Sequence, residues 1–90
     1  MRFEWDKQKN ETNKSKHGID FNTATALWDD VNRIEIQSTF RDEDRNILIG
    51  NIDNKLWAAV FTLRMNAYRI ISVRRARKKE VMLYEKNTTG

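Results

Sequence analysis

The chain has 90 residues with no cysteine, no proline, three glycines and one histidine, which excludes disulfides, thiolate catalysis and cysteine-ligated metal centres and argues against a histidine-built one. One domain with a small core fits the length; no apolar run reaches the roughly 18 residues of a membrane span and no signal-peptide stretch opens the chain, so a cytoplasmic protein is expected. The net charge of +4 is ordinary, but its distribution is not: residues 1–63 hold nine Lys/Arg against eleven Asp/Glu, and residues 64–90 hold eight against two.

Phe3-Glu4-Trp5 alternates and reads as a short edge strand. Asp6 is placed to cap a polar helix over Lys7–His17, with Gly18 at the left-handed position after it. Asp20 can cap a second helix, with Ile19 and Ala24 as its staple. That helix buries Phe21, Ala24, Leu27 and Trp28 and ends near Asp29-Asp30. The period then changes to two. Residues 34–40 alternate, with Ile34, Ile36, Ser38 and Phe40 on one face. Arg41-Asp42-Glu43-Asp44 reads as a turn. Arg45 to Ile52 is a second strand, with Ile47 and Ile49 opposite Leu48. Asp53-Asn54 and Met65-Asn66 mark two further turns. Leu56 to Leu63 is apolar on both faces and belongs centrally in the sheet. Tyr68 to Val73 is a fourth long strand, and residues 75–86 read as a C-terminal helix. The fold class is α+β: a short N-terminal strand, two helices, a four-stranded antiparallel sheet and a C-terminal helix, in one domain over residues 1–90. Trp5, Trp28 and Trp57 read as core.

The chemistry concentrates between Arg64 and Lys79, where seven basic residues stand without an acidic one. Such a strip suits an anionic partner such as nucleic acid; a solvated basic helix is the plain alternative. On the last strand, Arg69 shares a face with Ile71 and Val73 by simple alternation. Arg74 and Arg75 fall where the strand meets the helix, a good place for a phosphate. Arg77, Lys78 and Lys79 extend the cationic strip, and Arg64 enters from the neighbouring hairpin end. Glu80 lies on the helix stripe that faces the sheet; it is either an ion-pair partner or a placed proton acceptor. Tyr84, on the same stripe, either packs or orients a substrate. Lys16 and His17 end the first helix, where cations complement the dipole. Imidazole is also the side chain that exchanges protons nearest neutrality.

These residues resemble a known family. Phe3-Glu4-Trp5-Asp6 is followed after ten residues by His17-Gly18-Ile19, then Phe21 and Ala24, with Lys9, Asn13 and Lys16 between. Ile49-Gly50 follows in the middle of the chain. The last block is Thr62, Arg64, Arg69-Ile70-Ile71-Ser72, Arg74-Arg75-Ala76, Glu80 and Tyr84-Glu85. In this order and spacing the set is similar to the BrnT toxins of bacterial type II toxin–antitoxin systems. The chain departs from that pattern at Lys7, at Asp53-Asn54 and at Met65, where relatives often carry proline or glycine.

The resemblance implies a RelE-like ribonuclease fold, RNA cleavage, and inhibition of translation and growth; the lack of cysteine and the single histidine point to chemistry that needs no metal or cofactor. It implies neutralisation by a BrnA-type ribbon-helix-helix antitoxin, with operator DNA bound only through the toxin–antitoxin complex and no membrane partner. On this reading Arg64, Arg74 and Arg75 hold the phosphate and its transition state. Glu80 or His17 serves as base, and Tyr84 orients substrate or donates a proton. Lys16, Arg69, Arg77, Lys78 and Lys79 bind RNA. A non-catalytic nucleic-acid-binding module using the same strip is the alternative.

Overall fold

In a computed structural model that describes residues 2–40 and 43–89, the N-terminal caps fall where the sequence places them. Strand β1 (Arg2–Trp5) leads into helix α1 (Lys7–His17). The Asp6 carboxylate accepts the Lys9 amide N–H, and Gly18 closes the helix at φ +78°. Helix α2 (Phe21–Ala24) is a single turn, capped by Asp20 on the Thr23 amide, and tightens into a 3-10 helix over Thr25–Asp29. Strands β2 (Ile34–Phe40), β3 (Glu43–Ile52), β4 (Lys55–Arg64) and β5 (Ala67–Arg75) follow, and helix α3 (Lys78–Thr89) ends the chain. The turn expected at Arg41-Asp42 lies outside the described residues; Glu43 and Asp44 already belong to β3.

The sheet has five strands, not four, in the order β1-β5-β4-β3-β2. β1 lies parallel to β5, pairing Arg2 to Trp5 with Ala67 to Ile70, so the sheet is mixed. The remaining pairs are antiparallel. β1 is recruited because Phe3 and Trp5 bring aromatic rings to the main core: Phe3 meets Trp28 and Tyr68, and Trp5 meets Phe21, at centroid distances of 5.0–6.0 Å. β4 sits third of five, in keeping with its two apolar faces.

The β3–β4 and β4–β5 turns each use two residues at positive φ, Asp53-Asn54 and Met65-Asn66. That is the geometry whose twist matches the flanking strands. It explains why turn-forming residues recur there, and it leaves Met65, a side chain without local hydrogen-bonding ability, in the left-handed region.

Two cores lie on opposite faces of the sheet. The larger joins Ile19, Phe21, Ala24 and Leu27 to Leu48, Ala59, Phe61, Ile70 and Val73. The smaller joins Tyr84 of α3 to Ile49 and Ala58, with Ile34, Ile36, Ile47 and Leu56 around them. Gly50 makes the first core possible. A Cβ there would stand 3.1 Å from the Leu27 carbonyl oxygen and 3.2 Å from a Leu27 methyl. Gly50→Ala is therefore expected to cost about 1–3 kcal/mol by forcing the 3-10 helix off the sheet, read as a lower urea midpoint with an unchanged m value.

α1 is built differently. It contains no apolar residue, and its one buried side chain is Asn13. A helix polar on all sides needs another anchor. Asn13 supplies it: its amide donates to the carbonyls of Ile19 and Val73 at 2.9 Å, and its oxygen accepts the Val73 N–H at 3.0 Å. Asn10 adds a 2.7 Å bond from the Phe21 N–H. The pairing of β1 with β5 ends at Ile70, so Asn13 takes the place of a strand neighbour at Val73.

Candidate functional site

β5 carries an irregularity that re-aims its side chains. Val60 pairs with Ser72, but Phe61 pairs with Ile70, so Ile71 is an extra residue. Ile70 and Val73 therefore both enter the larger core. Arg69, Ser72 and Arg74 turn to the other face, the one α3 covers in part. The alternation that would group Arg69 with Ile71 and Val73 does not hold.

Arg74 and Arg75 are consecutive strand residues and point to opposite faces. Both therefore remain in β5, and the helix begins only at Lys78. Arg74 meets Glu80 in a two-pronged pair, Nη1 to Oε1 at 2.8 Å and Nη2 to Oε2 at 2.9 Å. The same Oε1 accepts the Arg77 backbone N–H at 2.7 Å. Glu80 thus ties the start of α3 to the end of β5. The side chains are only 19% and 12% exposed. The Arg74 guanidinium, more than any other partner, holds the Glu80 carboxyl below its usual range against a burial effect that pushes the other way. Glu80 in turn strengthens the proton affinity of Arg74. Of the two sequence readings of Glu80, the geometry is that of the ion-pair partner.

Arg75 instead lies over Trp57, 5.3 Å from the ring centroid, with its Nε donating to the Leu56 carbonyl at 3.3 Å. Arg77, Lys78 and Lys79 are exposed around the start of α3. Arg69 pairs with Glu4 at 2.9 Å across β1 and β5. Arg64 is exposed at the far end of β4, opposite Ala67. Because Arg74 lies opposite Ala58, six residues separate the two arginines along β4, about 20 Å. Arg64, Arg74 and Arg75 are thus not gathered around one phosphate. Arg64, Arg69 and Arg74 instead form a line down one face, with Arg75 on the other.

Tyr84 is committed elsewhere. Its hydroxyl donates to Asp30 at 2.7 Å. Asp30 also accepts the amides of Asn32 and Asn51 at 2.9 Å. Burial and the Asp30 hydrogen bond push the Tyr84 phenol up to about 12. Burial pushes Asp30 upward too, but the phenol and the two amides outweigh it and hold its carboxyl below the usual range. This latch fixes α3 to the loop before β2. Tyr84→Phe should cost about 1 kcal/mol, measured by urea unfolding, because the two amides still satisfy Asp30.

His17 and Lys16 are brought to a groove of about 490 Å3 between α1 and the edge of β5. Ser72 lines the same groove, and Arg74 is two residues further along the same face of β5, about 7 Å away. Sequence reasoning missed Ser72 as a site residue because the extra residue Ile71 is invisible in an alternation count. It missed the Asp30 partner of Tyr84 because 54 residues separate them.

A family model described as "Ribonuclease toxin, BrnT, of type II toxin-antitoxin system" matches residues 5–80. The chain belongs to the BrnT family. No curated protein matches it individually. The BrnT match takes in α1, the whole β2–β5 meander and the Arg74–Glu80 pair. It ends at Glu80, leaving Tyr84 and most of α3 beyond it. Membership makes the chain a ribonuclease toxin by family, with RNA as the target class and an antitoxin as the partner class. Among the described residues, no helix is long and apolar enough to cross a membrane.

Proposed function

We propose that the chain is a metal-independent endoribonuclease that arrests translation and growth, and that its RNA lies along the arginine line of β5. The observation that carries this reading is the single-file placement of Arg64, Arg69 and Arg74 on one sheet face, next to the groove that holds His17. RNA brings its own nucleophile, the 2′-hydroxyl. A protein then needs a proton acceptor, cations for the phosphate and a proton for the departing oxygen.

In this proposal His17 takes the 2′-hydroxyl proton. The 2′-oxygen attacks phosphorus, the P–O5′ bond breaks, and the proton returns from imidazolium to the 5′-oxygen. The products are a 2′,3′-cyclic phosphate and a 5′-hydroxyl. Arg74 stabilises the charge on the phosphoryl oxygens. Glu80 fixes its orientation through both prongs and leaves guanidinium N–H groups for the substrate. Arg75, Arg77, Lys78, Lys79 and Lys16 bind flanking phosphates, and Arg64 and Arg69 bind those further along. Tyr84 acts as a structural latch. No group of three or more His, Asp or Glu side chains that could hold a metal ion occurs among the described residues.

The RelE-like kinship of the fold belongs to the same proposal, as do its cytoplasmic setting and its neutralisation by a BrnA-type ribbon-helix-helix antitoxin. In that scheme, operator DNA is reached only through the toxin–antitoxin complex.

One observation favours a second reading: Glu80 and Tyr84, two of the three groups suited to proton transfer, are both engaged in structural contacts. A non-catalytic RNA-binding module would look the same there. Incubating the purified protein with RNA in EDTA separates the two. The proposal expects cleavage; salt-sensitive binding without any cleavage would establish the binding module instead.

A further inference from the structure

The groove beside α1 has a composition that packing does not account for. Helix α1 carries Lys7, Lys9, Lys14, Lys16 and His17 against one acid, Glu11, and gains nothing from apolar burial. A helix kept only to shield the β5 edge would be expected to lay aliphatic side chains on it. This one is held by Asn13 and turns Gln8, Lys9, Thr12, Lys16 and His17 to the groove, opposite Ser72. Ile71, the extra residue of β5, is the only apolar residue in the lining. Asp6, the one acid there, is turned back on the helix start, where it accepts the Lys9 N–H at 3.0 Å.

We infer that this groove is a subsite for single-stranded RNA, holding phosphates that flank the bond to be cleaved. Lys9 and Lys16 lie seven residues apart on one side of α1, about 10 Å along its axis. They form a short cationic ladder that ends at His17. Gln8, Thr12 and Ser72 offer amide and hydroxyl groups of the kind that position a sugar–phosphate chain. A protein partner would be expected to find aromatic or aliphatic anchor pockets, and Ile71 alone does not provide them. The volume, about 490 Å3, is in the range that accommodates a ligand the size of a nucleotide. Ser72 in the lining stands two residues before Arg74 on β5, which joins the groove to the arginine line. The inference rests on RNA being the substrate but not on where cleavage takes place.

The test uses the whole protein and an uncleavable, fully 2′-O-methylated oligoribonucleotide, so that binding is measured without turnover. In Lys9→Gln/Lys16→Gln the dissociation constant should rise about 10-fold, and the slope of log affinity against log salt should fall by about 1.4, the value for two lost single-strand phosphate contacts. Lys9→Arg/Lys16→Arg should keep both near wild type. Each of these lysines is exposed, and an unchanged melting temperature in both variants removes misfolding as a cause. Wild-type RNA affinity and slope in the glutamine variant would overturn the inference. So would intact RNA binding combined with weakened capture of the antitoxin, which would make the groove a protein-docking surface. A protein that cleaves no RNA but shows the expected loss of binding would leave the groove standing and remove the catalytic reading.

Discussion

Replacing Asn13 by alanine is expected to lower the stability of this domain by about 3 kcal/mol. The change strands three buried backbone groups: the Val73 N–H, the Val73 carbonyl and the Ile19 carbonyl. Each such group costs about 1–3 kcal/mol when left unpaired. For a domain of this size the melting temperature should fall by about 10–20 °C. Asn13→Asp is the sharper comparison. It preserves shape and can still accept the Val73 N–H, but it sets a carboxylate against two carbonyl oxygens that have lost their donor. It should destabilise at least as much as alanine. Because α1 has no apolar grip on the sheet, the loss should appear first as fast amide exchange in α1 and at the β5 edge. A melting temperature within a degree or two of wild type would show that Asn13 does not anchor the helix.

Arg74→Ala is expected to reduce RNA cleavage by about 10²–10³-fold, the usual loss when one transition-state cation is removed. It should also cost about 2–3 kcal/mol of stability. Its deletion leaves Glu80, 12% exposed, with only the Arg77 N–H and solvent as partners. Arg64→Ala, about 20 Å away along β4, should leave the cleavage step nearly intact and weaken only the binding of longer RNA.

The sign of the pH dependence follows from the same pair. Glu80 titrates in the folded state below its ordinary value of 4.5. The stability it contributes is therefore fully present above about pH 4.5 and is lost as pH falls through the lowered folded value. Asp30 behaves alike from 3.8 downward. Tyr84 is the reverse case, raised from 10.0 to about 12. Its contribution is full below pH 10 and fades between 10 and 12. Urea midpoints measured against pH should form a plateau that falls on the acid side first for these carboxylates. Arg74→Ala should flatten the acid limb, and Tyr84→Phe the alkaline one.

The caps, the Asp53-Asn54 and Met65-Asn66 turns, the faces of β3 and β4, and those of Ile34 and Ile36 in β2 were legible in the sequence because each depends on near neighbours. Asp6, Gly18, Asp20 and the Asp53-Asn54 turn signal local geometry through their own side chains or φ preference. Leu48 and Ile49 declare opposite faces by alternation alone. What was not legible depends on distant partners. β1 is the edge strand that its alternation suggests, but its parallel pairing with β5 is settled by Phe3 and Trp5 meeting aromatic rings donated by α2, the 3-10 helix and β5. The faces of Arg69 and Ser72 turn on the extra residue at Ile71, which no local preference announces. The site suffered most: Arg64, Arg74 and Arg75 form a cluster only on paper, because a strand separates neighbours by face and a hairpin separates its two ends by its length. Glu80 reads from the sequence as either an ion-pair partner or a proton acceptor, because its partner Arg74 lies on another element; the two-pronged contact shows what it touches.

This BrnT-family chain is expected to cleave RNA with its own side chains on β5 and at the end of α1, and the ends of the RNA fragments decide the matter. Wild-type protein in EDTA should yield 2′,3′-cyclic phosphates and 5′-hydroxyls, with cleavage by His17→Ala and by Arg74→Ala lower by at least about 10²-fold. Fragments bearing 5′-phosphates, or undiminished cleavage by both variants, would contradict the account.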